Sequence, residues 1–129
     1  MPALAITEWK RRPELVVVLD LPFPISTNRL WRPAAGRMVK TARYRTWRRA
    51  AGNEINRQRP GRIEGAFHCR ITLELKLGRK IDGDNGVKCV LDALQENGVI
   101  DNDCLATETT VEWSKTVTGA HVVLTAVQA

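Results

Sequence analysis

Five of the chain's six aspartates fall within 22 consecutive positions: Asp82, Asp84, Asp92, Asp101 and Asp103, with Asp20 the sixth. Carboxylates crowded in this way repel one another unless a cation lies among them. Asp82 and Asp84 are two apart in a segment that reads as extended, where i and i+2 side chains share a side and their Cα atoms stand about 6.5 Å apart. That separation suits two carboxylates converging on one cation through metal–oxygen bonds of about 2.1 Å. A donor set without His or Cys selects hard ions, so Mg²⁺ is expected, with Mn²⁺ as a substitute. Lys88, four residues beyond Asp84 and one turn into a helix, shares its face and carries a charge suited to a phosphate oxygen. The chemistry that such a set supports is phosphodiester hydrolysis. Asp103 joins the set only if its loop folds back over the intervening helix, a geometry that the sequence leaves open. Asp101 is a further acid able to share that role, and Asp92 reads as a supporting acid behind the others.

Spacing alone also fits a simpler account: Asp before a helix is a common N-cap, and Asn-Gly after one a common stop. A calcium loop fits neither, because the third ligand position falls on Gly86 and the closing acid on Ala93. The charge around the acids is more telling. Residues 1–62 carry 14 Lys/Arg against 4 Asp/Glu, whereas residues 63–129 carry 6 against 10, for a total of +6. The first half therefore reads as the part that grips a polyanion and the second as the part that holds a cation.

Several classes are excluded. No apolar run approaches the roughly 20 residues needed to span a bilayer, so no membrane partner is expected. No basic segment followed by an apolar core opens the chain, so no secretion signal is read. Cys69, Cys89 and Cys104 read as buried, reduced thiols of a cytoplasmic protein, and no Cys/His spacing suggests zinc. No organic cofactor is implied.

The elements that must position these residues follow from periodicity. An α+β fold is expected, one domain over residues 1–129 in the order β-α-β-α-β-β, a mixed sheet with both helices packed on one face. Residues 1–13 read as a flexible N-terminal segment. Leu15 to Leu21 is a short apolar strand, and Pro22 through Gly36 a loop. Lys40 to Gln58 is a helix with Tyr44, Trp47, Ala51 and Ile55 as its apolar stripe. Phe67 to Leu77 alternates as a strand, and Asn85 to Asn97 is a second helix with Val87, Val90, Leu91 and Leu94 inward. Leu105 to Lys115 and His121 to Val127 read as a terminal hairpin.

Asp82-Gly-Asp84-Asn85, Lys88, Asp92-Ala93-Leu94, Gly98-Val99-Ile100 and Asn102-Asp103 together resemble the RusA family of Holliday junction resolvases. Pro22, Pro24, Ser26, Asn28, Arg29 and Arg32 resemble its second signature, just after the first strand, so the similarity runs from about Leu15 to Val123. The resemblance implies a Mg²⁺-dependent endodeoxyribonuclease, acting as a homodimer that nicks four-way DNA junctions in pairs during recombination and repair, and a nucleoid-associated location. It implies Asp82, Asp84 and Asp103 as catalytic metal ligands with Lys88 beside them. The sequence departs from the family where Asn102 replaces the first acid of a closing Asp-Asp pair, and where Ile81 precedes Asp82 in place of an arginine. Arg79 and Lys80 supply basic charge nearby. DNA contacts are expected from Asn28, Arg29, Arg32 and Arg37 in the loop, from Arg45, Arg48 and Arg49 on the helix, and from Arg79 and Lys80. Trp31 reads as either a stacking residue or a packed one, and Trp47 as core. A non-catalytic protein that binds DNA structures, and a nuclease acting on other branched or single-stranded nucleic acid, are the competing readings. The acids weigh against the first, since without a cation they would only repel phosphate.

Overall fold

Strict alternation builds the sheet. In β1 (Val16–Leu21) Val17, Leu19 and Leu21 are buried and the residues between them exposed. In β4 (Phe67–Glu74) Phe67, Cys69, Ile71 and Leu73 are buried, and in β6 (Ala120–Ala126) Ala120, Val122 and Leu124. The register aligns these positions into continuous rows, such as Leu19, Val122, Ile71 and Val111, the last on β5 (Ala106–Ser114). The computed structural model describes residues 9–25, 31–34, 37–75 and 83–127. Among these, β2 (Trp31–Ala34) and β3 (Arg37–Lys40) form a separate two-stranded ribbon, and the main sheet has the order β1-β6-β4-β5. The stretch expected to be loop through Gly36 therefore includes strand β2.

The helices α1 (Ala42–Gln58) and α2 (Gly83–Glu96) cover one face of this mixed sheet, as an α+β fold requires. Thr41 caps α1 by accepting a hydrogen bond from the Tyr44 N–H, and Tyr44, Trp47, Ala51 and Ile55 are its buried stripe, as the periodicity indicates. Trp47 also donates its indole N–H to the Pro22 carbonyl at 3.2 Å, which ties α1 to the end of β1. From α2, Cys89, Val90, Leu91, Ala93 and Leu94 enter the same core. Trp9 is buried there too, and Pro13 bridges Arg62, so the described part of the segment expected to be flexible is anchored.

The expected terminal hairpin does not form. β5 pairs in parallel with β4, and β6 pairs antiparallel with β4 on its other side and with β1 beyond. The physical reason lies in the side chains. β6 buries alternate positions and takes a central place, whereas β5 carries Glu108, Glu112 and three threonines, a composition suited to an edge. The other edge is blocked by side chain and backbone: the Gln58 amide bonds both the N–H and the C=O of Asp20, and Glu14 donates to the Arg62 carbonyl.

The connection from β5 to β6 crosses the end of β4, where Glu74 accepts from the Gly119 N–H and donates its own N–H to the Gly119 carbonyl. Gly119 has φ +70°, and a Cβ there would stand 2.4 Å from the Leu21 carbonyl oxygen. We expect Gly119→Ala to destabilise the fold by about 2 kcal/mol or more through backbone strain and displacement of β1. A thermal melt unchanged from wild type would contradict this crossing.

Candidate active site

The parallel pairing of β4 and β5 determines where the acids can lie. A parallel connection must return along the sheet, and α2 makes that return. Its first turn contains Asp84, so the helix starts two residues earlier than the sequence pattern suggests. Asp84 therefore belongs to a helix and not to an extended segment; a carboxylate in the first turn is favoured by the helix dipole. Asp82 lies outside the described residues, as do Asn28, Arg29, Arg79 and Lys80.

Positions 84, 88, 92 and 95 of α2 fall on one stripe at helical spacing. On it the Lys88 ammonium stands 3.4 Å from the Asp92 carboxylate, with Lys88 largely exposed. Asp92 also borders Tyr44 of α1, whose hydroxyl is pushed up in pKa, first by burial and then by that carboxylate. Asp92 thus lies beside Lys88 and offsets its charge.

Beyond α2 the chain turns sharply. Gly98 has φ +78°, Val99 donates to the Leu94 carbonyl, and Ile100 bridges Ile63, so both apolar residues are buried. Asp101 accepts from the Gly65 N–H at 3.1 Å and from Arg62 at 3.3 Å. Both carboxylate oxygens are thus engaged in holding this loop, a structural occupation that explains the extra acid. Asn102 caps a short 3₁₀ turn (Asp103–Leu105) by accepting from the Cys104 N–H at 2.9 Å. A neutral amide serves as such a cap as well as a carboxylate does, which gives the Asn at this position a role. Asp103 itself donates its N–H to the Gln95 side chain at 2.9 Å.

The loop does fold back over the helix, but onto its far end. Gln95 lies eleven residues after Asp84, a rise of about 16 Å along the axis. Two carboxylates sharing one cation need oxygens within roughly 4 Å of each other. Among the described residues, no group of three His, Cys, Asp or Glu side chains gathers where it could hold a metal. Asp84 and Asp103 therefore lie at opposite ends of α2, Asp84 in its first turn and Asp103 beside its last.

The basic residues also divide. Arg45 and Arg49 are exposed on α1 and line a groove of about 400 Å³ with Asn53, Asn56 and Asn97. Arg48 forks onto Glu96 of α2 with both bonds at 2.6 Å, and that carboxylate raises its pKa further. Arg32 and Arg37 lie on the β2–β3 ribbon, where they pair with Val39 and Ala34. Trp31 pairs with Lys40 on the same ribbon.

Gln95 escaped sequence reasoning because an exposed glutamine carries no chemistry of its own; its place on the stripe of Asp84 and Lys88 was the only available signal. The cysteines needed one correction. Cys69 and Cys89 are buried, and burial pushes both thiols up to about 12, whereas Cys104 is exposed beside Asp103. At pH 8 we expect one thiol per native chain to react rapidly with an aromatic disulfide reagent, and all three after unfolding. A second rapid thiol in the native protein would contradict this burial.

With this geometry in place, comparison with known proteins is informative. Residues 22–125 match the family model described as endodeoxyribonuclease RusA. A crossover junction endodeoxyribonuclease RusA of Aquifex aeolicus (strain VF5) is 39% identical over 89 residues, covering 68% of this chain and 70% of that protein.

Proposed function

We propose that this chain, which belongs to the RusA family of endodeoxyribonucleases, cuts four-way DNA junctions by Mg²⁺-dependent hydrolysis as a homodimer. The observation that carries the reading is the match over residues 22–125, which includes the acidic stretch and the basic helix α1. The junction itself is the substrate named for the Aquifex aeolicus relative. A nuclease of this kind works where the DNA is, in the cytoplasm and at the nucleoid.

The division of the acids supports a second copy. A four-way junction has approximate two-fold symmetry, and paired cuts require two sites related by that axis. In the proposed dimer, Asp82 and Asp84 of one chain share a site with Asp103 of the other, so that each of the two sites draws on both chains. The donor set fits Mg²⁺ because every donor is a carboxylate oxygen. When bound there, the ion would polarise a phosphoryl oxygen and lower the pKa of water. Lys88, exposed on the stripe next to Asp84, then meets the negative charge of the phosphate, and Asp92 keeps its ammonium in place beforehand. Arg45 and Arg49 hold the backbone of the DNA without reading bases.

Labelled four-way, forked and linear DNA provide the test. We expect Asp82→Asn and Asp84→Asn to abolish cleavage while junction binding is kept or tightened. Equal cutting of linear duplex would sink the junction assignment, and undiminished activity of either variant would sink the metal assignment. Mixing inactive Asp84→Asn with inactive Asp103→Asn should restore nicking, because one site of the mixed dimer then has all its acids. No restoration would argue that each chain completes its own site. Arg49→Glu should weaken junction binding and reduce the salt slope by about one per lost phosphate contact.

A further inference from the structure

Among the described residues, one hydrogen bond ties the 101–105 segment to α2. Arg62 and Gly65 hold Asp101, and Asn102 caps its own turn, but the Asp103 N–H is bonded by Gln95 at 2.9 Å. Gln95 is exposed and lies two turns along the stripe from Lys88. Its carboxamide thus links the Asp103 backbone directly to the helix that holds Asp84 in its first turn.

We propose that Gln95 is a positioning residue for cleavage: it sets the carboxylate of Asp103 through the backbone N–H. This rests on the two-chain reading above, and it has a consequence particular to it. In a dimer the α2 of one chain ends at Asp84 in one site and, through Gln95, at Asp103 in the other. The helix is then a strut of about 16 Å between the two sites. Loss of the bond frees the 103–105 turn to shift relative to that strut, and misplacing a ligand by a fraction of an ångström slows catalysis without changing how DNA is bound. Glutamate at position 95 keeps an acceptor oxygen and preserves the bond; alanine removes it.

Mixed dimers test the idea asymmetrically. In a dimer of Asp84→Asn and Asp103→Asn chains, the live site takes its Asp103 from the Asp84→Asn chain. Adding Gln95→Ala to that chain should lower the single-turnover rate roughly tenfold at saturating DNA, with junction affinity unchanged. Adding it to the Asp103→Asn chain should change nothing. Equal effects in both chains, or none in either, would overturn the positioning role even though complementation succeeds. If mixing restores no activity, the two-chain reading fails and Gln95 is judged in otherwise wild-type protein. There, a roughly tenfold lower rate rescued by Gln95→Glu supports the role, and a wild-type rate for Gln95→Ala overturns it. A readout independent of activity is the Asp103 amide in the metal-free protein. Its hydrogen exchange should quicken about tenfold in Gln95→Ala and stay slow in Gln95→Glu; unchanged exchange in Gln95→Ala would count against the bond.

Discussion

The parallel pairing of β4 with β5 is the constraint from which the site geometry follows. Strands that run the same way cannot be joined by a tight turn, so the chain must travel back along the sheet before it can pair again. Here that journey is α2, held by Cys89, Val90, Leu91, Ala93 and Leu94 against the sheet. Burying side chains such as Leu94 stabilises by about 1.5–3 kcal/mol each, enough to fix the helix by packing and not by its termini. The residues at its two ends are consequently at opposite ends of the sheet. Whatever is attached to the start of β5, Asp103 included, is carried away from whatever starts α2.

A second consequence concerns charge. With both helices on one face, no helix among the described residues covers the other face of the sheet, and its polar residues pair across strands: His121 with Asp20 at 2.8 Å, His68 with Glu108 at 3.7 Å and Arg70 with Glu112 at 4.0 Å. These are exposed pairs that add little to stability individually. What they do is keep one face near neutral or acidic, while the arginines of α1 stand on the helical side. The protein thereby presents DNA with an orientation before any contact is made. Within the helical side, the Arg48–Glu96 fork withdraws one guanidinium from that field and uses it to join α1 to the end of α2.

Much of this was legible from the residues alone, and the reasons differ by element. The stripe of Tyr44, Trp47, Ala51 and Ile55 is buried as its spacing requires, because one helical face had nowhere else to go. The alternation of β4 was equally readable. The order of strands was not: β5 and β6 are adjacent in sequence and separated by a short link, yet β4 lies between them. Local pattern specifies a strand and its faces, but its neighbours are chosen by long-range burial, which favoured the apolar β6 at the centre. The β2–β3 ribbon was missed because prolines and glycine around it read as loop. At the site, residue types were legible and distances were not. Asp84 and Asp103 belong to one chemistry by type, but a helix of fixed rise between them sets a separation that composition cannot express.

That separation has an energetic logic. Three carboxylates preassembled in a single chain without a cation would repel one another, and the fold would bear the cost whenever the metal was absent. With Asp84 and Asp103 at opposite ends of α2, each can be held by ordinary local structure, as Asp103 is by its turn and Gln95. In the proposed dimer the repulsion arises only when two chains meet, where bound metal and DNA can offset it. In that arrangement association, metal binding and the capacity to cut become one linked equilibrium, since each favours the state that the others require. On the proposed two-chain reading, an isolated chain would hold half a site at each end of one helix. Two chains would acquire both sites together, and paired nicking would follow from the symmetry of assembly without any further signal between the sites.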